Sequence, residues 1–145
     1  MSEATEAMER NIHNEQNIDR PLRGARVLVV EDDALVLMEL ESILQDAGAE
    51  TVACCRNVKD GLTAVEQKPP AAAILDVNIG RRAIAPVARR LAHCGTPFLF
   101  YTGEVENESA LAEWPGHLVL TKPERPATIV AAVAHLLEHA GVEQD

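Results

Sequence analysis

From Arg26 onward, short aliphatic runs alternate with longer segments whose apolar residues recur at helical spacing, and this alternation constrains the fold more than any other feature of the chain. Strands buried on both faces read as near-continuous apolar runs, and the helix after each is the crossover that a parallel sheet requires. Five strands are expected: RVLVV at 26–30, ETVACC at 50–55, AAAIL at 71–75, TPFLFY at 96–101 and HLVLT at 117–121, the third and fifth short and buried. Helices are expected over 34–47, 58–67, 86–94, 105–114 and 126–140. The first repeats apolar residues at Leu37, Leu40, Leu44 and Ala47 and stops at Gly48, while Pro86 and Pro126 suit first-turn positions that need no N–H. The fold class expected is α/β, five βα units building one parallel sheet.

The core of such a sheet has to be aliphatic, because one Trp, one Tyr and two Phe are the only aromatic residues among 145. That length suits a single domain with tails and leaves no room for an output domain. Residues 1–24 are polar and irregular and are expected to form a flexible tail, with at most a short helix carrying Ala7, Met8 and Ile12. The folded domain is expected over 25–141, with 142–145 as a C-terminal tail. A net charge of -10 disfavours DNA, RNA and anionic lipid as direct partners, and no run is long enough to span a bilayer. Cys54, Cys55 and Cys94 are odd in number, two of them adjacent, in a chain without an apolar leader, which points to reduced thiols and a cytoplasmic protein.

Ligands of an open parallel sheet bind beyond the carboxyl ends of its strands. The first strand runs into Glu31-Asp32-Asp33, the third into Asp76-Val77-Asn78, the fourth into Thr102-Gly103 and the fifth into Lys122-Pro123. Two carboxylates about 5 Å apart repel by about 3 kcal/mol at an effective dielectric near 20, so three together call for a cation. Mg²⁺, a hard ion that binds carboxylates and substrate phosphate, fits that need. Lys122 and the Thr102 hydroxyl then offer a charge and a donor to phosphoryl oxygens, with Asp76 as the available nucleophile. Asp33 reads as the N-cap of the first helix instead of a ligand.

VLVVEDD, ILDVN, FLFYTG and LTKP, in this order at four strand ends, resemble the receiver domain of two-component response regulators, over about residues 25–140. The resemblance implies a flavodoxin-like (βα)5 doubly wound sheet with strand order 2-1-3-4-5. It implies that Glu31 and Asp32 are the acidic pair that places Mg²⁺, that Asp76 is the phosphoacceptor and a further ligand, and that Asn78 lends its backbone carbonyl to the metal. Thr102 becomes the switch hydroxyl and Lys122 the phosphate-binding cation. More narrowly, PVARRL...GTPFLFYTG resembles stand-alone receivers marked by Pro-Phe-x-Phe-Ala-Thr-Gly-Tyr, with Tyr101 in place of that Ala and Glu104 in place of that Tyr. Receivers carry an aromatic residue three positions before the lysine; here Val119 stands there, so either Tyr101 takes over the switch or the fourth helix itself moves. Asn78 and Glu104 would flank the path of the hydrolytic water.

The implied function is a single-domain response regulator. It would accept a phosphoryl group on Asp76 from a histidine kinase or histidine phosphotransfer protein and signal by contact with a downstream protein, or pass the group on as a sink or relay. It would catalyse only its own phosphorylation and dephosphorylation. Two other classes compete. A phosphate-independent adaptor draws support from Val119, and an Mg²⁺-dependent aspartyl-phosphate phosphatase would need a second Asp where Asn78 stands.

Other features have plainer readings. His135 and His139 share metal-compatible i, i+4 spacing but lack an acidic partner motif and read as solvated. At least one of Cys54 and Cys55 is expected to be buried. Arg81, Arg82, Arg89 and Arg90 make the third helix basic, as solvated surface or as a docking patch. Trp114 belongs either to the core or to the surface around the fourth helix, fifth strand and fifth helix.

Overall fold

The structure is a computed structural model that describes residues 20–79, 82–103 and 109–140. In chain order its elements are β1 (Arg26–Val30), α1 (Ala34–Asp46), β2 (Thr51–Cys55), α2 (Val58–Gln67), β3 (Ala72–Leu75), β4 (Asn78–Ile79), β5 (Arg82–Ala83), α3 (Ala85–His93), β6 (Phe98–Thr102), α4 (Ser109–Glu113), β7 (Val119–Thr121) and α5 (Pro126–Glu138). Five strands form one sheet in the order β2-β1-β3-β6-β7, all pairs parallel. Counting only these strands, the order is the 2-1-3-4-5 of the flavodoxin-like fold.

The period-two alternation of the strands sorts their side chains onto two faces. Val27, Val29, Ala72, Ile74, Leu99 and Tyr101 pack with α1 and α5, through Leu37, Leu40, Leu44, Ile129 and Val133. Leu28, Val30, Ala73, Leu75, Phe98 and Phe100 pack with α2 and α3, through Val58, Val65, Val87 and Leu91. Gly61 of α2 lets that helix close on the sheet, since a Cβ there would stand 3.2 Å from Val30 and 3.3 Å from Val87. Asp33 caps α1, its Oδ1 accepting from the N–H groups of Leu35 (2.9 Å) and Val36 (3.2 Å), as expected. Gly48 ends that helix at φ +101, a conformation that disfavours a side chain. Pro86 and Pro126 both fall in first turns.

Four expectations need correction. The fifth strand is not buried: β7 is an edge strand, and of its residues only Leu120 is buried. Between the third strand and the third helix, where no element was expected, lies the antiparallel ribbon β4–β5, whose two-residue strands are too short to show a period. Arg82 belongs to β5 and not to the third helix, which leaves Arg89 and Arg90 on α3. Residues 20–24, placed in the tail on composition, form a turn whose Leu22 is fully buried and whose N–H donates to the Ala47 carbonyl at 3.0 Å. A lone leucine among polar neighbours carries no periodic signal. The Ala7, Met8 and Ile12 segment, Arg81, Glu104 and residues 141–145 lie outside the described residues, as does 105–108 of the fourth expected helix.

Candidate functional site

Parallel strands bring their carboxyl ends to one edge, and the register decides which residues meet there. Val30 pairs with Leu75, Leu75 with Phe100 and Thr102 with Thr121. Glu31, Asp76 and Lys122 therefore each follow a residue at the end of a strand. Their main chains hold the alignment: Asp76 N–H donates to Val30 O (3.0 Å), Glu31 N–H to Cys55 O (3.0 Å) and Lys122 N–H to Thr102 O (2.9 Å).

The side chains converge. The Lys122 ammonium donates to Glu31 Oε2 at 2.6 Å and to Asp76 Oδ2 at 2.9 Å. Glu31 is 2% exposed, Asp76 8% and Thr102 4%. Glu31 Oε1 also accepts from the Asp33 N–H at 3.1 Å. Burial pushes the Glu31 carboxyl above its ordinary pKa, and the nearby Asp76 charge adds to this, against the opposing pull of the Lys122 and Asp33 hydrogen bonds. Burial pulls the Lys122 ammonium down, but its hydrogen bonds to Glu31 and Asp76, and their charges, together raise it above the usual lysine value.

Glu31, Asp32 and Asp76 each offer a carboxylate oxygen within 4.8 Å of the others, and they are the group of metal-ligating side chains found among the described residues. Three oxygens on one octahedral Mg²⁺ at 2.0–2.1 Å include at least two pairs about 2.9 Å apart, so these carboxylates would draw closer together to share one ion. The all-oxygen donor set suits a hard cation. Asn78 opens β4, two residues beyond Asp76 at the same edge. Asp33 stays on its capping bonds and outside the acidic group.

Two contacts escaped the sequence reading, one of them made by Tyr101, named there only as a candidate switch. Arg56 donates through Nε (3.3 Å) and Nη2 (3.0 Å) to the Asp32 carbonyl and so fixes the loop that carries the acidic pair. The Tyr101 hydroxyl accepts from the Glu124 N–H at 3.1 Å, beyond Lys122. Neither bond has a sequence signature, because each joins a side chain to a distant main-chain group.

The other candidates resolve individually. His135 and His139 are exposed and their rings lie 4.2 Å apart, outside the metal-ligating group. Cys55 is buried and Cys54 exposed, with Cys54 Sγ donating to Glu41 at 3.1 Å. Trp114 is half-buried against the α2–α3 face, its ring edge-on to Phe98 at 5.3 Å. Arg89 and Arg90 are engaged, with Glu113 at 2.8 Å and Glu66 at 3.2 Å. The charge of these two arginines, half of the four that suggested a docking patch, is thereby answered within the fold.

The family model described as the response regulator receiver domain matches residues 27–134. Among solved structures, the chain is similar to the response regulator PhyR from Brucella abortus, with 18% identity, TM-score 0.70 and coverage of 95% of this chain and 58% of that one. It is likewise similar to the PhyR receiver domain of Erythrobacter litoralis, with 21% identity, TM-score 0.72 and coverage of 82% and 94%. A CheY-like receiver domain protein from Methanospirillum hungatei matches with 20% identity, TM-score 0.73 and coverage of 83% and 98%. At these identities the likeness speaks for the fold, and the chain spans 58% of the length of the Brucella protein. No curated protein matches the sequence. Among the described residues no helix is long and apolar enough to cross a membrane.

Proposed function

The chain belongs to the response regulator receiver domain family, and on that premise we propose that it is a phosphorylatable switch with Asp76 as phosphoacceptor, charged by a histidine kinase or histidine phosphotransfer protein. The observation that carries this reading is the buried Asp76 carboxylate at the strand edge, paired with Lys122 at 2.9 Å and grouped with Glu31 and Asp32. An Asp76 oxygen attacks the donor's phosphorus; the new P–O bond forms as the P–N bond breaks, and its electron pair stays on the imidazole nitrogen. Glu31, Asp32, Asp76 and the Asn78 carbonyl would hold Mg²⁺. When bound, that ion supplies positive charge to the phosphoryl oxygens and to the crowded carboxylates. Lys122 transfers its contact from the carboxylates to a phosphoryl oxygen, and the Thr102 hydroxyl donates to another.

Leu35 and Met38, 65% and 66% exposed on the first turns of α1, offer a donor protein an apolar footing next to Asp32 and Asp33. The output is a change in affinity for a downstream protein, and the only chemistry catalysed is the chain's own phosphorylation and dephosphorylation. The folded switch includes the turn at 20–24 that buries Leu22, and it works in the cytoplasm. The test is labelling by a small phosphodonor such as acetyl phosphate, in Mg²⁺, of intact protein and of Asp76→Asn. Label is expected on the first and absent from the second; equal label on both overturns Asp76 as acceptor. An adaptor that ignores phosphate would bind no beryllofluoride, and a phosphatase would turn over an aryl phosphate continuously.

A further inference from the structure

Tyr101 lies next to Thr102 on β6, but its side chain faces α1 and α5 and is 6% exposed. Val119, where an aromatic switch was expected, packs with the cluster on the opposite face. Tyr101 therefore cannot occupy the space that an aromatic at 119 would fill. What it does contact is the segment that carries the lysine. Its hydroxyl accepts the Glu124 N–H at 3.1 Å, and its ring centroid lies 5.7 Å from the Lys122 ammonium, within cation–π range. The main chain adds a second fastening, from Lys122 N–H to Thr102 O at 2.9 Å. Two consecutive residues of β6 thus hold the segment on both sides of Pro123.

A lysine side chain is long and rich in rotamers, and it reaches a fixed point only if its origin is fixed and its length is supported. Here the ammonium must reach two carboxylate oxygens at rest and a phosphoryl oxygen after transfer. We infer that Tyr101 is a positioning residue for Lys122: its hydroxyl anchors the main chain beyond the lysine and its ring flanks the ammonium. Phenylalanine at 101 would keep the ring and leave the half-buried Glu124 N–H without this acceptor. The role rests on the phosphoacceptor reading above and adds to it the element that aims the cation.

The test separates the two cations of the site by titrating Mg²⁺ alone and then beryllofluoride in saturating Mg²⁺, for intact protein and for Tyr101→Phe. Mg²⁺ binding reads the carboxylates, and beryllofluoride binding also reads Lys122. The variant should bind Mg²⁺ within about twofold of the intact protein and beryllofluoride about three- to tenfold more weakly, the range of one hydrogen bond. Faster hydrogen exchange at the Glu124 amide should accompany that loss. Unchanged beryllofluoride affinity, or equal weakening for both ligands, overturns the positioning role. Intact protein that binds no beryllofluoride overturns the phosphoacceptor reading and this inference with it, whereas intact protein that binds normally beside an unaffected variant overturns this inference alone.

Discussion

Replacing Lys122 with Met strands the carboxylates it pairs with, and the pH dependence of the damage tests whether charge is its cause. Glu31 and Asp76 are 2% and 8% exposed, and the Lys122 side chain that bridges them is 20% exposed. Removing one partner of a buried pair costs about 3–5 kcal/mol when the charge left behind cannot escape. Here it can escape by protonation. Neutralising a carboxyl with an ordinary pKa of 4.5 costs about 1.36 kcal/mol for each pH unit above that value, hence at most about 3.4 kcal/mol at pH 7 and about 0.7 at pH 5. Burial already holds Glu31 above its ordinary value in the intact protein, so part of this penalty precedes the substitution. The expected loss for Lys122→Met is about 2 kcal/mol at pH 7 and below about 1 kcal/mol at pH 5, measured by urea unfolding without Mg²⁺. The sign is that of an acid whose folded pKa is raised: stability is retained below pH 4.5 and lost as pH climbs. Lys122 is raised as well, so the intact protein keeps that contribution below about pH 10.5 and loses it as pH rises through the higher folded value; the variant lacks this alkaline step. Equal losses at pH 5 and 7 would refute the electrostatic argument and assign the damage to packing.

Three further outcomes are expected. Asp33→Ala removes the acceptor of two first-turn N–H groups of α1 and should destabilise the protein by about 1 kcal/mol; no change in the urea midpoint would mean that water replaces the cap. Leu44→Ala, at a fully buried position facing the sheet, should cost about 2–5 kcal/mol, and a loss under 1 kcal/mol would contradict tight packing on that face. Although the residue as a whole is exposed, loss of water around its sulfur, then the hydrogen bond and charge of Glu41, push the Cys54 thiol up to about 12, so iodoacetamide at pH 8 should label it slowly and Glu41→Gln should speed labelling; peptide mass analysis showing rapid labelling before the substitution would sink this account.

Legibility followed burial. β1, β3 and β6 announce themselves because both faces of each are covered, which demands unbroken runs such as VLVV and FLFY. Their boundaries are another matter, and they shift at centre and edge alike: β2 and β3 begin one residue, and β6 and β7 two residues, later than the runs suggest, because a run shows where apolar side chains lie and not where main-chain pairing starts. The four polar strand ends stood out because each interrupts such a run. That Lys122 would grip Glu31, 91 residues away, depends on register and rotamer, which no local pattern encodes. Arg56 on the Asp32 carbonyl and Tyr101 under the Glu124 N–H were invisible for a related reason: the backbone partner is the same at every residue.

The ion pairs of α3 also give the two sides of the sheet different responses to their surroundings. Arg90 reaches Glu66 on α2 and Arg89 grips Glu113 on α4, all in side chains open to solvent, while α1 and α5 sit on the other side through leucine, isoleucine and valine. Dissolved salt screens the first kind of attachment within a Debye length of about 8 Å at physiological strength; cooling weakens the second. Brine should therefore loosen the hold of α3 on the five-residue α4 while α1 and α5 stay seated, whereas cold weakens the apolar packing on both faces alike. Ionic strength becomes a handle on one side of the sheet, and temperature a handle on both.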